Sequence, residues 1–263
     1  MINRRSSPVV VSERYFASPA RVRRLLDEID VSKPDATTLY LRPSGVGAPP
    51  SLNLSPARGE TEGPGLRDWI REVLTAVPES ETGAAIFWTD HKAWVVLPPF
   101  PIEEDRYAGG NDVSGLEEVY ERDVTVGVVL LRMGRYAVGV VRGNELLASK
   151  TDTRHVKNRH RAGGSSQRRF MRSRDRLIRE LYDEACAVTR RIFEPHLDTI
   201  DCVLTGGERQ TINGFLNRCE FLEKSNLPVM KRLLAVERPS HKALEGIHRE
   251  VWKSRVLVFD RAE

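Results

Sequence analysis

The chain has 263 residues, a formal net charge of +4 and 40% apolar residues, which suffice for two domains with a sizeable core. No apolar stretch is long enough to cross a bilayer, and the N-terminal apolar run is too short for a signal peptide, so we expect a soluble, cytoplasmic protein without membrane association. The three cysteines, Cys186, Cys202 and Cys219, form no CxxC pair, so we expect reduced core thiols and neither a disulfide framework nor a metal or other cofactor.

The first part of the sequence predicts a small α/β domain over residues 1–115. Apolar residues at helical or alternating spacing favour five elements: helices over 19–29 and 66–77, and strands over 37–41, 84–88 and 93–97. Residues 43–65 contain five prolines and five glycines, a composition typical of a long, flexible loop. Residues 98–115 are the predicted linker to the next domain.

The second part, residues 120–263, opens as a β-meander. Its predicted strands are 124–132, 136–142 and 145–150. A long helix follows and ends before Pro195, and after it helices and strands alternate. The predicted later elements are strands over 201–206, 232–237 and 255–260, with helices over 208–219 and 242–254. Three meander strands followed by alternating elements are typical of an RNase H-like mixed sheet, so the expected fold class is α/β with two domains.

The positive charge is concentrated between the meander and the long helix. Residues 154–180 contain ten Lys/Arg and two Asp/Glu, a local balance of +8, so the rest of the chain is mildly acidic. A single patch of this kind predicts a polyanionic partner. Six side chains close to the centre of the patch are the candidate RNA-binding residues: Lys157, Arg159, Arg161, Arg168, Arg169 and Arg172.

The centre of this patch has an unusual composition. Gly163 and Gly164 lack a Cβ, so their backbone can approach a ligand closely. Ser165 and Ser166 are small donors that can cap the following helix, which is expected to begin near Arg168 and to direct its free N–H groups at an anion. The alternative is a solvated surface segment. Binding is favoured, because the charge surrounds a glycine pair and a single amide.

Residues 161–170, which read RAGGSSQRRF, resemble the catalytic loop of the class I release factors of eukaryotes and archaea. The Gly-x-x-Gln form of the Vms/ANKZF-like branch, associated with ribosome quality control, is the closer match, and the resemblance covers residues 120–260. It implies an RNase H-like catalytic domain that hydrolyses the ester of peptidyl-tRNA at the peptidyl transferase centre of stalled large ribosomal subunits. The catalytic residues implied are Gln167 with Gly163, Gly164, Ser165 and Ser166.

The sequence also departs from the release factors that read stop codons. Two serines separate the glycine pair from Gln167, and the N-terminal region has no Asn-Ile-Lys-Ser stretch. The zinc finger, ankyrin repeats and coiled coil of the eukaryotic quality-control proteins do not occur in this sequence. We therefore expect a compact bacterial rescue factor, of actinobacterial type because 33 arginines stand against 8 lysines, as in proteins of GC-rich genomes.

The carboxamide of Gln167 does not titrate near neutral pH, so it is not a general base of the usual kind. It can orient a water molecule, or its backbone N–H can stabilise the oxyanion, an interaction typically worth about 2.7–4 kcal/mol. Two alternatives stay open, a non-catalytic RNA- or ribosome-binding factor and an endonuclease that cleaves the CCA end of tRNA. A metal-dependent nuclease would need converging carboxylates, for which the candidates near strand ends are Asp123, Asp152, Asp201 and Asp260.

Overall fold

The computed structural model describes residues 9–32, 36–43, 64–153 and 165–261, which belong to two compact units. The first unit combines the chain up to Arg122 with the residues from Trp252 onward, and the second unit is Asp123–Val251. In chain order, the helices and strands are β1 (Val10–Ala17), α1 (Pro19–Ser32), β2 (Thr37–Leu41), α2 (Pro64–Ala76), β3 (Ala84–Trp88), β4 (Lys92–Leu97), β5 (Arg106–Gly109), α3 (Ser114–Glu121), β6 (Thr125–Arg132), β7 (Arg135–Arg142), β8 (Glu145–Thr153), α4 (Ser165–Phe193), β9 (Cys202–Gly207), α5 (Arg209–Leu216), α6 (Glu220–Lys224), β10 (Val229–Leu234), α7 (His241–Glu245), α8 (His248–Val251) and β11 (Ser254–Asp260).

The first unit is built on an antiparallel sheet with the strand order β1-β11-β4-β3-β2-β5. Helix α2 packs apolar residues that include Ile70 and Val73 against one face of this sheet. Trp88 is buried in the same cluster. The expected small α/β layout of this part is confirmed.

The boundaries of the two units differ from the predicted domains 1–115 and 120–263. Residues 98–115 are not a free linker, because residues 106–109 pair with β2 as an edge strand and Phe100 and Ile102 are buried. The C-terminal strand, predicted as part of the second domain, pairs with β1 and β4 in the first sheet. Its apolar side chains Leu257 and Phe259 complete the core of the first unit.

The second unit contains a mixed sheet with the order β10-β9-β6-β7-β8. Strands β6, β7 and β8 form the antiparallel meander, while β9 runs parallel to β6, and β10 parallel to β9. This arrangement confirms the predicted RNase H-like mixed sheet. Helix α4 packs on the sheet through buried residues that include Leu181, Ala185 and Phe193.

The expectation of three reduced cysteines is wrong. Cys186 of α4 and Cys219, which precedes α6, form a disulfide with a Cα–Cα distance of 5.3 Å, and Cys202 is a free, buried thiol. The two bonded cysteines are 33 residues apart, and it is the packing of α4 against α6 that brings them together. A pairing that depends on tertiary packing leaves no local spacing signal in the sequence.

Candidate functional site

Helix α4 begins at Ser165, three residues before the expected start at Arg168. Ser165, Ser166 and Gln167 therefore form the first turn of the helix, rather than a loop that precedes it. Gly163 and Gly164 lie outside the described residues, and so do the side chains of residues 165–170, which include Arg168 and Arg169. Lys157, Arg159 and Arg161 are also outside the described residues, whereas Arg172 is exposed on α4.

The backbone of Gln167 is in a chemically useful position. The first N–H groups of an α-helix have no acceptor within the helix, and Gln167 is the third helical residue. Its N–H is therefore free of any intrahelical hydrogen bond. The dipole of α4 adds partial positive charge at the same end, which favours an oxyanion or a phosphate there.

The N-terminal part of α4 is exposed and positively charged. From Met171 to Glu180 no residue is buried, and Met171 itself is 58% exposed. Ten residues correspond to about 15 Å of helix. This stretch carries four arginines, Arg172, Arg174, Arg176 and Arg179, against two carboxylates, Asp175 and Glu180. We call residues 171–180 the stem.

The part of α4 that follows the stem is firmly held. Leu181 and Ala185 are fully buried against the second sheet, and Arg218 donates from Nη2 to Oδ2 of Asp183 at 2.7 Å. The hydroxyl of Tyr136 on β7 donates to Oε1 of Glu184 at 3.2 Å, and burial raises the pKa of Tyr136 well above its usual value. The stem is therefore carried by a fixed base.

The four aspartates considered as metal ligands do not converge. Asp201 accepts a hydrogen bond from the N–H of Thr125 at 2.8 Å, and Asp123 pairs with Arg142, which lowers the pKa of its carboxyl. Asp260 pairs with Lys92 in the first unit. Within residues 9–32, 36–43, 64–153 and 165–261, no group of three or more His, Cys, Asp or Glu side chains is arranged to hold a metal ion.

One cluster was missed by sequence reasoning. Arg135 at the start of β7, and Arg238 and Lys242 after β10, line the same cavity beside the end of β8. Arg135 lies about a hundred positions before Arg238 and Lys242 in the chain, so no local charge run indicates the cluster. The sheet topology brings them together.

Residues 124–257, just over half of the chain, match the family model of the Actinobacteria/Chloroflexi VLRF1 release factors. The chain belongs to this release-factor family. The predicted relationship to release factors is thereby confirmed, and the matched residues include the whole of the candidate site.

Curated relatives support the same relationship. The chain is 28% identical over 127 residues to peptide chain release factor subunit 1 of Methanopyrus kandleri, covering 48% of this chain and 31% of that protein. It is 25% identical over 187 residues to the corresponding protein of Thermococcus sibiricus, covering 66% and 44%. The chain thus spans less than half the length of these relatives.

Among solved structures, the archaeal translation termination factor aRF1 is similar to this chain with 16% identity and a TM-score of 0.34. The alignment covers 87% of this chain and 68% of that one.

No helix in the described part of the chain has the length and apolar content needed to span a membrane.

Proposed function

We propose that this protein is a peptidyl-tRNA hydrolase of the release-factor type. Its substrate is the ester between a nascent peptide and its tRNA on stalled large ribosomal subunits, and its role is ribosome rescue in the bacterial cytoplasm. The observation that carries the proposal is the position of Gln167. In a member of a release-factor family, the GGSSQ segment ends in the first turn of a helix whose residues 171–180 carry four arginines.

The stem supports this role in two ways. The stem and residues 168–170 separate Gln167 from the buried base at Leu181 by 14 residues, about 21 Å of helix. The arginines of the stem, with the other candidate RNA-binding residues Lys157, Arg159, Arg161, Arg168 and Arg169, provide positive charge for the phosphates of the tRNA acceptor end. The base keeps the position of the first turn fixed relative to the second sheet.

The chemistry needs one water molecule and no redox partner. The water oxygen adds to the ester carbonyl carbon, and negative charge develops on the carbonyl oxygen. The free N–H at Gln167 donates a hydrogen bond to this oxyanion while the side-chain amide orients the attacking water. The bond from the carbonyl carbon to the ribose oxygen then breaks, and that oxygen takes the proton that the water loses. Gly163 and Gly164 let the backbone approach the ester closely, beside Ser165 and Ser166.

The substitution Gln167→Ala tests the side chain. We expect peptide release to fall about 10²-fold, because the attacking water loses the amide that orients it while the backbone N–H stays in place, with little change in tRNA affinity. Release is measured from large subunits that carry labelled peptidyl-tRNA. Gln210→Ala is the matched control, because Gln210 is an exposed glutamine near the start of α5. Full release activity in Gln167→Ala would remove the side chain from the mechanism.

The substitution Gln167→Pro tests the backbone donor. Proline has no N–H, and it is tolerated in the first turn of a helix, where that N–H is unpaired. A loss of release beyond that of Gln167→Ala is expected if the backbone donates to the oxyanion. If both variants release peptide at the normal rate, the proposed catalytic site is wrong.

The products and a charge reversal separate the alternatives. Ester hydrolysis leaves a tRNA with a complete 3′ end that can be aminoacylated again, whereas cleavage within the CCA end leaves a shortened tRNA. A factor that only binds RNA would lose its effect with Arg168→Glu and keep it with Gln167→Ala. Sequencing the 3′ end of the product tRNA from the release reaction makes the first distinction directly.

A further inference from the structure

A broad cleft lies beside the end of β8 in the second unit. Its volume is about 590 Å³, and it is lined by residues from three places in the chain: Arg135 at the start of β7, residues 151–153 at the end of β8, and residues 238–242, which precede and begin α7. We call this cleft the β8 groove. A second cavity of about 370 Å³ shares Arg238, Ser240 and Lys242 with it and is also lined by Glu237 and Glu250.

The β8 groove has an excess of positive charge. Arg135, Arg238 and Lys242 line it, and none of the three makes an ion pair within 4.0 Å with another described residue. Against them, Asp152 is the carboxylate of the described lining, and it accepts a hydrogen bond from the N–H of Thr153. Three cations around one cleft with one carboxylate in its lining favour a bound anion.

Other polar groups in the β8 groove are already oriented. His241 contacts Oγ of Ser149 through Nδ1 at 3.2 Å and Oε1 of Glu245 through Nε2 at 3.4 Å. This histidine is therefore engaged on both sides of its ring. The cations are the groups of the lining that remain available to a ligand.

The lining also indicates which part of a nucleic acid would bind. The described residues that line the β8 groove include no Phe, Tyr or Trp side chain, and the ring of His241 is held by Ser149 and Glu245. Stacking on aromatic rings is the usual way in which proteins hold unpaired bases, whereas arginine and lysine hold phosphates. The composition of the groove therefore fits the sugar-phosphate backbone and gives no pocket for a base.

The position of the β8 groove connects it to the candidate site. Thr153 lines the groove and is the last residue of β8, and the sequence continues directly into the basic segment 154–161. A phosphate chain in the groove would thus lie next to the point where the catalytic segment leaves the sheet. Arg238 and Lys242, by contrast, lie near the C-terminal end of the sequence of the second unit.

We infer that the β8 groove binds the phosphodiester backbone of RNA and thereby orients the protein on its substrate. This inference rests on the proposed action on peptidyl-tRNA, and it adds a second RNA contact separate from the stem and the GGSSQ segment. The RNA is either the tRNA of the substrate or ribosomal RNA next to it. Both present the same chemistry to the three cations.

The test is the triple variant Arg135→Ala, Arg238→Ala, Lys242→Ala. About a tenfold loss of RNA affinity is expected at physiological salt, because three side chains that would neutralise phosphates are removed. The slope of log affinity against log salt should fall by about 2, because three phosphate contacts are removed. A control variant, Arg190→Ala, Lys224→Ala, Arg249→Ala, removes the same charge from exposed positions of the second unit outside the groove.

Three probes distinguish the sources of the ligand: deacylated tRNA, deproteinised large-subunit ribosomal RNA, and intact large subunits. If the triple variant loses affinity for deacylated tRNA, the β8 groove binds the substrate. If it loses affinity for deproteinised ribosomal RNA, the groove binds the ribosome. If binding falls only on intact subunits, the partner is a ribosomal protein and the inference is wrong. The inference is also wrong if the triple variant and the control variant bind all three probes with equal affinity.

A second variant guards against loss of affinity through misfolding. Asp152→Asn removes the carboxylate from the β8 groove, so RNA affinity should rise about two- to threefold, a gain that a damaged fold does not produce. An unchanged or lower affinity would count against the groove. All these measurements report binding, so they keep their meaning even if Gln167→Ala shows that the hydrolase proposal is wrong.

Discussion

Gly127 of β6 shows how a single absent side chain allows the second unit to pack. A Cβ at this position would lie 2.7 Å from Cζ of Phe193, whose ring is fully buried. Real Cβ contacts are never so short, so Phe193 would have to move away from the strand. Since Phe193 is the last residue of α4, the glycine sets the distance between the end of that helix and the sheet.

The substitution Gly127→Ala is therefore expected to lower the free energy of unfolding of the second unit by about 1–3 kcal/mol, the usual cost of overpacking a core. The change is measured by urea denaturation followed by circular dichroism. Gly246→Ala in the same unit is the control, because the nearest atom to a Cβ at Gly246 is the backbone oxygen of Lys242 at 3.8 Å, an ordinary contact distance. Equal stability of the two variants would mean that the ring of Phe193 relaxes freely.

Some residues of the candidate site could be predicted from the sequence, and others could not. The glycine pair, Gln167 and the surrounding arginines are contiguous, so composition and resemblance were enough to indicate a candidate RNA-directed site. That Gln167 belongs to the first turn of α4 depends on where the helix begins, and Ser165 and Ser166 suit a cap as well as a first turn. The groove cations are dispersed along the chain, so the sequence could not predict them.

At the scale of elements, the disulfide between Cys186 and Cys219 joins α4 to the start of α6. The bond closes a loop of about 33 residues that contains β9 and α5. Closing a loop of this size restricts the unfolded chain and stabilises the fold by about 3–4 kcal/mol in the chain-entropy model. The base of α4, and with it the position of the stem, would be held by this bond.

We expect oxidised protein to have a higher melting temperature than protein kept in dithiothreitol. The double variant Cys186→Ser, Cys219→Ser should melt at the lower temperature with and without the reductant. Thiol titration of the unfolded, unreduced chain should give one free thiol, that of Cys202, and reduction should raise the count to three. Three thiols before reduction would show that the bond does not form.

Helices and strands with strong periodicity were predicted from the sequence to within a few residues, as α2 and the meander show. Weak local signals account for the errors. Strand β5 is only four residues long, and its pairing with β2 is what makes residues 106–109 a strand. The helix predicted over 242–254 is interrupted at Gly246, the C-cap of α7, and continues as the separate α8. Strand pairing and tertiary packing determine the structure of both segments, and neither can be predicted from a short stretch of sequence.

At the scale of the whole molecule, the second unit is inserted into the first. Strand β11 comes after residues 123–251 in the chain, yet in the first sheet it lies between β1 and β4. Among the described strands, β1 pairs only with β11, so without β11 it has no neighbour. All strands of the second sheet, in contrast, lie within a single continuous stretch.

This organisation predicts an asymmetry between fragments. Residues 123–251 expressed alone should unfold in one cooperative transition, because they include every strand of their sheet. Residues 1–122 alone should not, since they lack the strand that connects β1 to β4. Urea denaturation followed by circular dichroism tests both fragments. A cooperative transition for residues 1–122 would show that β11 is dispensable.

The late position of β11 also has a consequence during translation of this protein. At about 5–20 residues per second, the 138 residues from 123 to 260 take about 7–28 s to synthesise. Throughout that time the nascent first unit lacks the strand that pairs with both β1 and β4. Assembly therefore runs against chain order, and the earliest residues made are among the last to reach their native partners.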